Sequence, residues 1–152
     1  MIRWPGLFLL CVCLFGCGPG KPEGQRETAP VEVTVTYKDK PVADAMVTFV
    51  SDTEPMVPSN GRTNADGKAT MMTYEAGDGA VLGTHKVMIV KMDEVEVKEA
   101  PNTEDASYDP NAPLAPPPKS LLPKKFSNTV TSPLKANVEK GKTNSIPFNL
   151  KD

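Results

Sequence analysis

The stretch Val31-Glu32-Val33-Thr34-Val35-Thr36-Tyr37-Lys38-Asp39-Lys40-Pro41-Val42-Ala43-Asp44-Ala45-Met46-Val47-Thr48-Phe49 decides the fold class. Val31, Val33, Val35 and Tyr37 alternate with Glu32, Thr34 and Thr36, a period of two with β-branched residues on both faces, which reads as a strand. Lys38-Asp39-Lys40-Pro41 reads as a turn. Ala45, Val47 and Phe49 then form a second alternating set, with Met46, Thr48 and Val50 on the opposite face. Two consecutive strands joined by a short polar turn predict a β-domain.

The pattern continues toward the C-terminus. Ser51 to Asn60 carries Asp52, Pro55, Pro58 and Asn60 and is expected to be a loop. Gly61 to Met71 reads as a hairpin turning at Asp66-Gly67, residue types that tolerate positive φ. Glu75 to Ala80 is a second turn-rich stretch. His85 to Met92 is the strongest strand signal, with Val87 and Ile89 on one face and Met88, Val90 and Met92 on the other. Apolar residues on both faces predict a central strand buried on both sides. Residues 93–120 break the alternation, first acidic and then proline-rich, and are expected to form a disordered insertion. A final hairpin is expected from Leu134, Ala136 and Val138, a turn at Glu139-Lys140-Gly141-Lys142, and Ile146, Phe148 and Leu150. Pro147 lacks a ladder N–H, so the last strand belongs at an edge or beside a bulge. No segment of the chain after the N-terminal sixteen residues shows a convincing helical face.

Composition limits the function classes. The chain has 152 residues, enough for one domain, and its net charge of −2 comes from well-mixed acids and bases. That is not the electrostatic footprint of a nucleic-acid binder. Sixteen prolines exceed the usual proportion of about 5% and favour β-structure with long loops over helix. The three cysteines, Cys11, Cys13 and Cys17, all fall in the first seventeen residues, so nothing after Cys17 can form an internal disulfide.

The N-terminus reads as an export signal. Arg3 supplies a short positive region, and Leu7 to Phe15 is apolar but shorter than the roughly 20 residues that span a bilayer. The run closes on Leu14-Phe15-Gly16-Cys17, which resembles the bacterial lipobox. That resemblance implies cleavage after Gly16, a signal peptide over residues 1–16, and a diacylglyceryl thioether on Cys17. Two or more acyl chains, at about 0.8 kcal/mol per buried methylene, anchor stably where one is marginal. Gly18 follows the cysteine where a retention signal would place aspartate, so delivery to the outer membrane or its periplasmic face is expected over the inner membrane. Residues 17–30, rich in glycine, proline and charge, read as a flexible tether.

The domain over residues 31–150 resembles the carboxypeptidase regulatory-like, or transthyretin-like, domain of small bacterial lipoproteins. The residues that carry this are Val33-Thr34-Val35, Lys40-Pro41 through Phe49, Thr63-Asn64-Ala65-Asp66-Gly67-Lys68-Ala69, Gly77-Asp78-Gly79-Ala80 and Gly83-Thr84-His85-Lys86-Val87. Ala69 and Asn64 stand where that family has an aromatic residue and aspartate. The resemblance implies a Greek-key β-sandwich of about seven strands, prealbumin-like in plan, serving as a non-enzymatic accessory module without a cofactor.

Candidate chemistry is sparse. His85 is the only histidine and is expected to be a strand residue rather than a catalytic one, since a triad or zinc site would need partners that the mature chain does not offer. Asp66 and Asp78 are turn carboxylates. With Asp52 they supply loop oxygens for a calcium site only if the three converge, and the dense acidic spacing of an EF-hand is missing. A glycan-binding surface would use exposed aromatic residues. Trp4 leaves with the signal, Phe49 and Phe148 read as core, and Tyr37 and Phe126 are further mature-chain aromatics. Tyr74 and Tyr108 are the exposed candidates. The expected function is a lipid-anchored envelope protein acting as a structural or protein-interaction module, with strand edges and the proline-rich segment as contact surfaces. Carbohydrate binding is the alternative. The partner is then another envelope protein or a surface glycan.

Overall fold

The computed structural model describes residues 24–93 and 118–152. Among them lie ten strands: β1 (Thr28–Ala29), β2 (Val31–Tyr37), β3 (Lys40–Pro41), β4 (Met46–Ser51), β5 (Pro58–Arg62), β6 (Lys68–Thr70), β7 (Ala80–Val81), β8 (Gly83–Val90), β9 (Lys135–Val138) and β10 (Asn144–Leu150). Seven have three or more residues, and β1, β3 and β7 have two each. The helical content of these residues is one 3₁₀ turn, Lys124–Ser127.

The alternation that marks the sequence is realised directly. Val31, Val33 and Val35 are at most 1% exposed, while Glu32 between them faces solvent. The chain then reverses through Lys38 and Asp39, at φ 51° and 62°. Two successive left-handed residues are what a two-residue hairpin turn with the strand's own twist requires. The turn brings β3 back against Thr36 and Tyr37.

Two four-stranded sheets carry the fold, with a two-stranded ribbon of β1 and β7 beside them. In the first sheet β2 is central. It has β10 parallel along one edge, and β6 and β3 antiparallel along the other. The second sheet runs β5-β4-β8-β9, antiparallel throughout. Inward side chains of both sheets join one core cluster, among them Val33, Val47, Phe49, Ile89 and Phe148. Burying a side chain of this size is worth about 1.5–3 kcal/mol relative to exposure. Phe49 from β4 meets Phe148 from β10 edge to face, with ring centroids 6.1 Å apart, so one aromatic contact links the two sheets. The architecture is all-β, with several sheets, and is consistent with a β-sandwich.

Several expectations change. The last two strands do not form a hairpin: β9 pairs with β8, while β10 crosses to the other sheet and pairs with β2. Alternation sets which face of each strand is buried, and both faces here turn to the same core from opposite layers. Asn144 holds the crossing, its Oδ1 accepting from the Glu139 N–H at 2.9 Å and its Nδ2 donating to the Glu139 carbonyl at 3.0 Å. Pro147 does lie on an edge strand, since β10 pairs only with β2 among the described residues.

The Gly61–Met71 segment likewise splits between sheets. Its turn is tight, with the Asn64 N–H donating to the Lys68 carbonyl at 2.8 Å, but β5 goes to β4 and β6 goes to β2. One bridge, Asn60 to Met72, joins the two arms. Gly67 makes this possible at φ 73°, where an added Cβ would sit 2.4 Å from the Val35 carbonyl oxygen.

β8 is central, as expected, but it is buried on one face only. His85, Val87 and Ile89 are inaccessible, whereas Met88 and Val90 are only partly buried. Ordered structure also begins before residue 31, because Thr28 and Ala29 form β1, so the last residues of the 17–30 tether belong to the fold. Most of the 93–120 insertion lies outside the described residues. Its two ends meet: Met92 bridges Ser120, and the Asp93 N–H donates to the Lys119 carbonyl at 2.8 Å.

Candidate functional site

Where the N-terminal segment enters the domain, it is fastened from both sides. Arg26 Nη1 donates to Ser51 Oγ at 3.2 Å and to the Thr53 and Pro55 carbonyls at 3.2 and 3.4 Å, so one guanidinium gathers the loop between β4 and β5. The Arg26 backbone N–H donates to the Tyr74 hydroxyl at 3.1 Å. On the other side, Lys140 Nζ lies 2.8 Å from Glu27 Oε1, and the Asn144 N–H donates to the Pro30 carbonyl at 2.8 Å. Between these anchors β1 pairs with β7, and Gly79 passes so close beneath it that a Cβ there would lie 1.8 Å from the Ala29 carbonyl oxygen. A groove of about 410 Å³ runs along this junction between Glu27–Pro30 and Lys140–Thr143.

Next to the Arg26 anchor is the only histidine. His85 faces Ser51 directly across the β4–β8 pair, and both are buried, at 0% and 1% exposure. A serine beside a histidine invites comparison with a nucleophile and its base, which must share a hydrogen bond. Here that bond is not made. Ser51 Oγ donates instead to the Thr53 carbonyl at 2.9 Å, and His85 Nε2 has no partner. His85 Nδ1 is 3.0 Å from the Gly83 carbonyl, so it carries the ring proton and leaves a bare lone pair on Nε2, and the imidazole packs against the Phe49 ring with centroids 5.7 Å apart. Burial holds the His85 pKa below its ordinary 6.5, opposed by the Gly83 carbonyl and the Asp52 charge and reinforced by Arg26. The pair is packing, shielded from solvent.

The carboxylates singled out in the sequence stand on three separate loops. Asp78 spends both oxygens on its own loop, accepting from the Thr73 and Tyr74 N–H groups at 2.7 and 2.9 Å. Asp66 is an exposed turn residue, and Asp52 follows β4. Among the described residues no group of three or more His, Cys, Asp or Glu side chains is placed to hold a metal ion, so Asp52, Asp66 and Asp78 do not converge. Tyr74 is half-buried rather than exposed, with its hydroxyl taken by Arg26. Tyr108 and the lipobox residues Leu14, Phe15, Gly16 and Cys17 lie outside the described residues.

A second groove, about 400 Å³, opens on the first sheet between Glu32, Thr34, Asn64, Lys68, Thr70 and Ser145. Its lining is mostly polar and holds one acid, Glu32, and one base, Lys68, and among the described residues no hydrogen bond joins a lining hydroxyl to either side chain. The residues that sequence reasoning missed are Arg26, hidden in a stretch read as tether, and the Ser51–His85 pairing, which depends on register. The one available signal was Arg26 itself, a lone arginine just before the first alternating valines. No helix of the described residues is long and apolar enough to cross a membrane. Compared with protein-family models, curated proteins and solved structures, the chain matches none.

Proposed function

We propose that this chain is an exported lipoprotein, anchored through Cys17 at the outer membrane or its periplasmic face, whose β-domain is a non-enzymatic structural or protein-interaction module. The observation that carries the reading is the junction at Arg26. The run Leu14-Phe15-Gly16-Cys17 would place the lipid nine residues before Arg26, and Arg26 and Glu27 are held by the Ser51–Pro55 segment, Tyr74 and Lys140. A tether ending in a multi-point clasp suits a domain held against a membrane surface. Within this reading the two-sheet architecture is a Greek-key, transthyretin-like sandwich, supported by the β2–turn–β4 order and the Asn64–Lys68 turn between sheets.

The same geometry favours protein contact over sugar contact, because the Tyr74 ring is half-buried and its hydroxyl is engaged. It favours a non-enzymatic role because Ser51 and His85 are sealed in the interior without a mutual hydrogen bond. Cell fractionation tests the anchor. The native chain is expected in the membrane fraction and Cys17→Ser in the soluble envelope fraction; a Cys17→Ser protein that stays with the membrane overturns the lipid anchor.

A further inference from the structure

The outward face of the β5-β4-β8-β9 sheet is chemically unlike an ordinary solvent face. Cross-strand partners share a face, and the registers Met46 with Val90, Thr48 with Met88 and Val50 with Lys86 assemble Met46, Val50, Met88 and Val90 into one patch. Met72, bridged to Asn60, and Met92, two residues beyond Val90, extend it at the margins. Met46, Met72 and Met92 are 46%, 50% and 49% exposed, and Thr48 at the centre is only 7% exposed. Strand β8 thus has the sequence of a strand covered on both sides, yet among the described residues one side stays partly exposed. Contiguous apolar surface with a polar rim marks an interaction site, and methionine's flexible, polarisable side chain suits a surface that must fit a partner.

The rim chooses among occupants. The charged side chains of these four strands, His85 apart, are Arg62, Lys86 and Lys135, all cationic and all outward, in a chain whose net charge is −2. Arg62 has an acidic neighbour, Asp44 at 3.3 Å, while Lys86 and Lys135 sit opposite each other in the β8–β9 register. A second copy would set cations against cations. A bilayer surface is usually met by aromatic residues at the headgroup level, and no outward residue of these strands is aromatic.

We propose that this face docks an acidic polypeptide segment of a partner protein, with apolar side chains seated on Met46, Met88 and Val90 and carboxylates meeting Lys86, Lys135 and Arg62. The proposal rests on the protein-interaction reading above and names its surface.

Photocrosslinking in intact cells tests it, with a benzophenone amino acid replacing Met88 on this face or Asn149 on the β10 edge of the full chain. The expected result is a crosslink from Met88 to an acidic stretch of another protein, reduced about tenfold by Lys86→Glu/Lys135→Glu, two exposed positions. Lys86→Gln/Lys135→Gln serves in its place if a thermal melt shows the reversal variant unfolded. A product from Met88 that joins phospholipid, a second copy, residues 94–117 of the same chain or a stretch without acidic residues overturns the proposal, as does a product indifferent to the lysine changes. Crosslinks from Asn149 alone overturn this surface and leave the interaction reading standing. No product at either position overturns both.

Discussion

His85 shows what a single buried side chain commits the molecule to. Its Nδ1 proton is satisfied by Gly83, its Nε2 is bare, and protonation would place a cation in the interior near Arg26 with Asp52 as the compensating charge. The folded-state pKa is depressed below the ordinary 6.5, so between those two values the unfolded chain binds the extra proton. Stability is therefore complete above pH 6.5 and falls as pH drops below it, at up to about 1.4 kcal/mol per pH unit until the folded-state pKa is reached. Urea midpoints measured from pH 7.5 to 5 should show this decline, and His85→Leu should flatten it. An unchanged slope in His85→Leu would assign the acid sensitivity elsewhere. The residue's identity and strand position were legible in the sequence. Its burial against Ser51 was not, because that needed the β4–β8 register.

At the scale of elements, the N-terminal strap depends on the absence of a side chain. Gly79 lies under β1 at φ 85°, with no room for a Cβ beside the Ala29 carbonyl. Gly79→Ala should therefore lift β1 from β7, costing about 1–3 kcal/mol from backbone strain and lost contacts. Amide exchange locates the effect: the Leu82 N–H, which donates to the Glu27 carbonyl at 3.1 Å, should lose protection while Val87 and Ile89 keep theirs. Equal loss across β8 would mean that the strap and the sheet open as one unit. The strands themselves were readable from period-two alternation at Val31–Tyr37, Ala45–Phe49 and His85–Met92. β1 was not, since two residues carry no period, and its pairing is supplied by Arg26, Glu27 and Gly79 from outside the strand.

For the molecule as a whole, the two sheets share one core, and Phe49 stands at their meeting with Phe148. Phe49→Ala should cost about 3–5 kcal/mol. Because the cavity would open to both layers, thermal unfolding should move to lower temperature as one transition; two separated transitions would show that the sheets fold independently. The sequence by itself determined the all-β class, the longer strands around Val31–Tyr37, Ala45–Phe49, His85–Met92 and the last two alternating runs, and the turns after Tyr37 and at Asp66-Gly67, because these depend on alternation and local backbone preference. Only the tertiary structure decided that β5 and β6, and likewise β9 and β10, part company across their turns, that β10 runs parallel to β2, and that one face of β8 stays partly exposed. Alternation specifies which side of a strand is buried, but the strand that lies beside it is chosen by how two layers close over a common core.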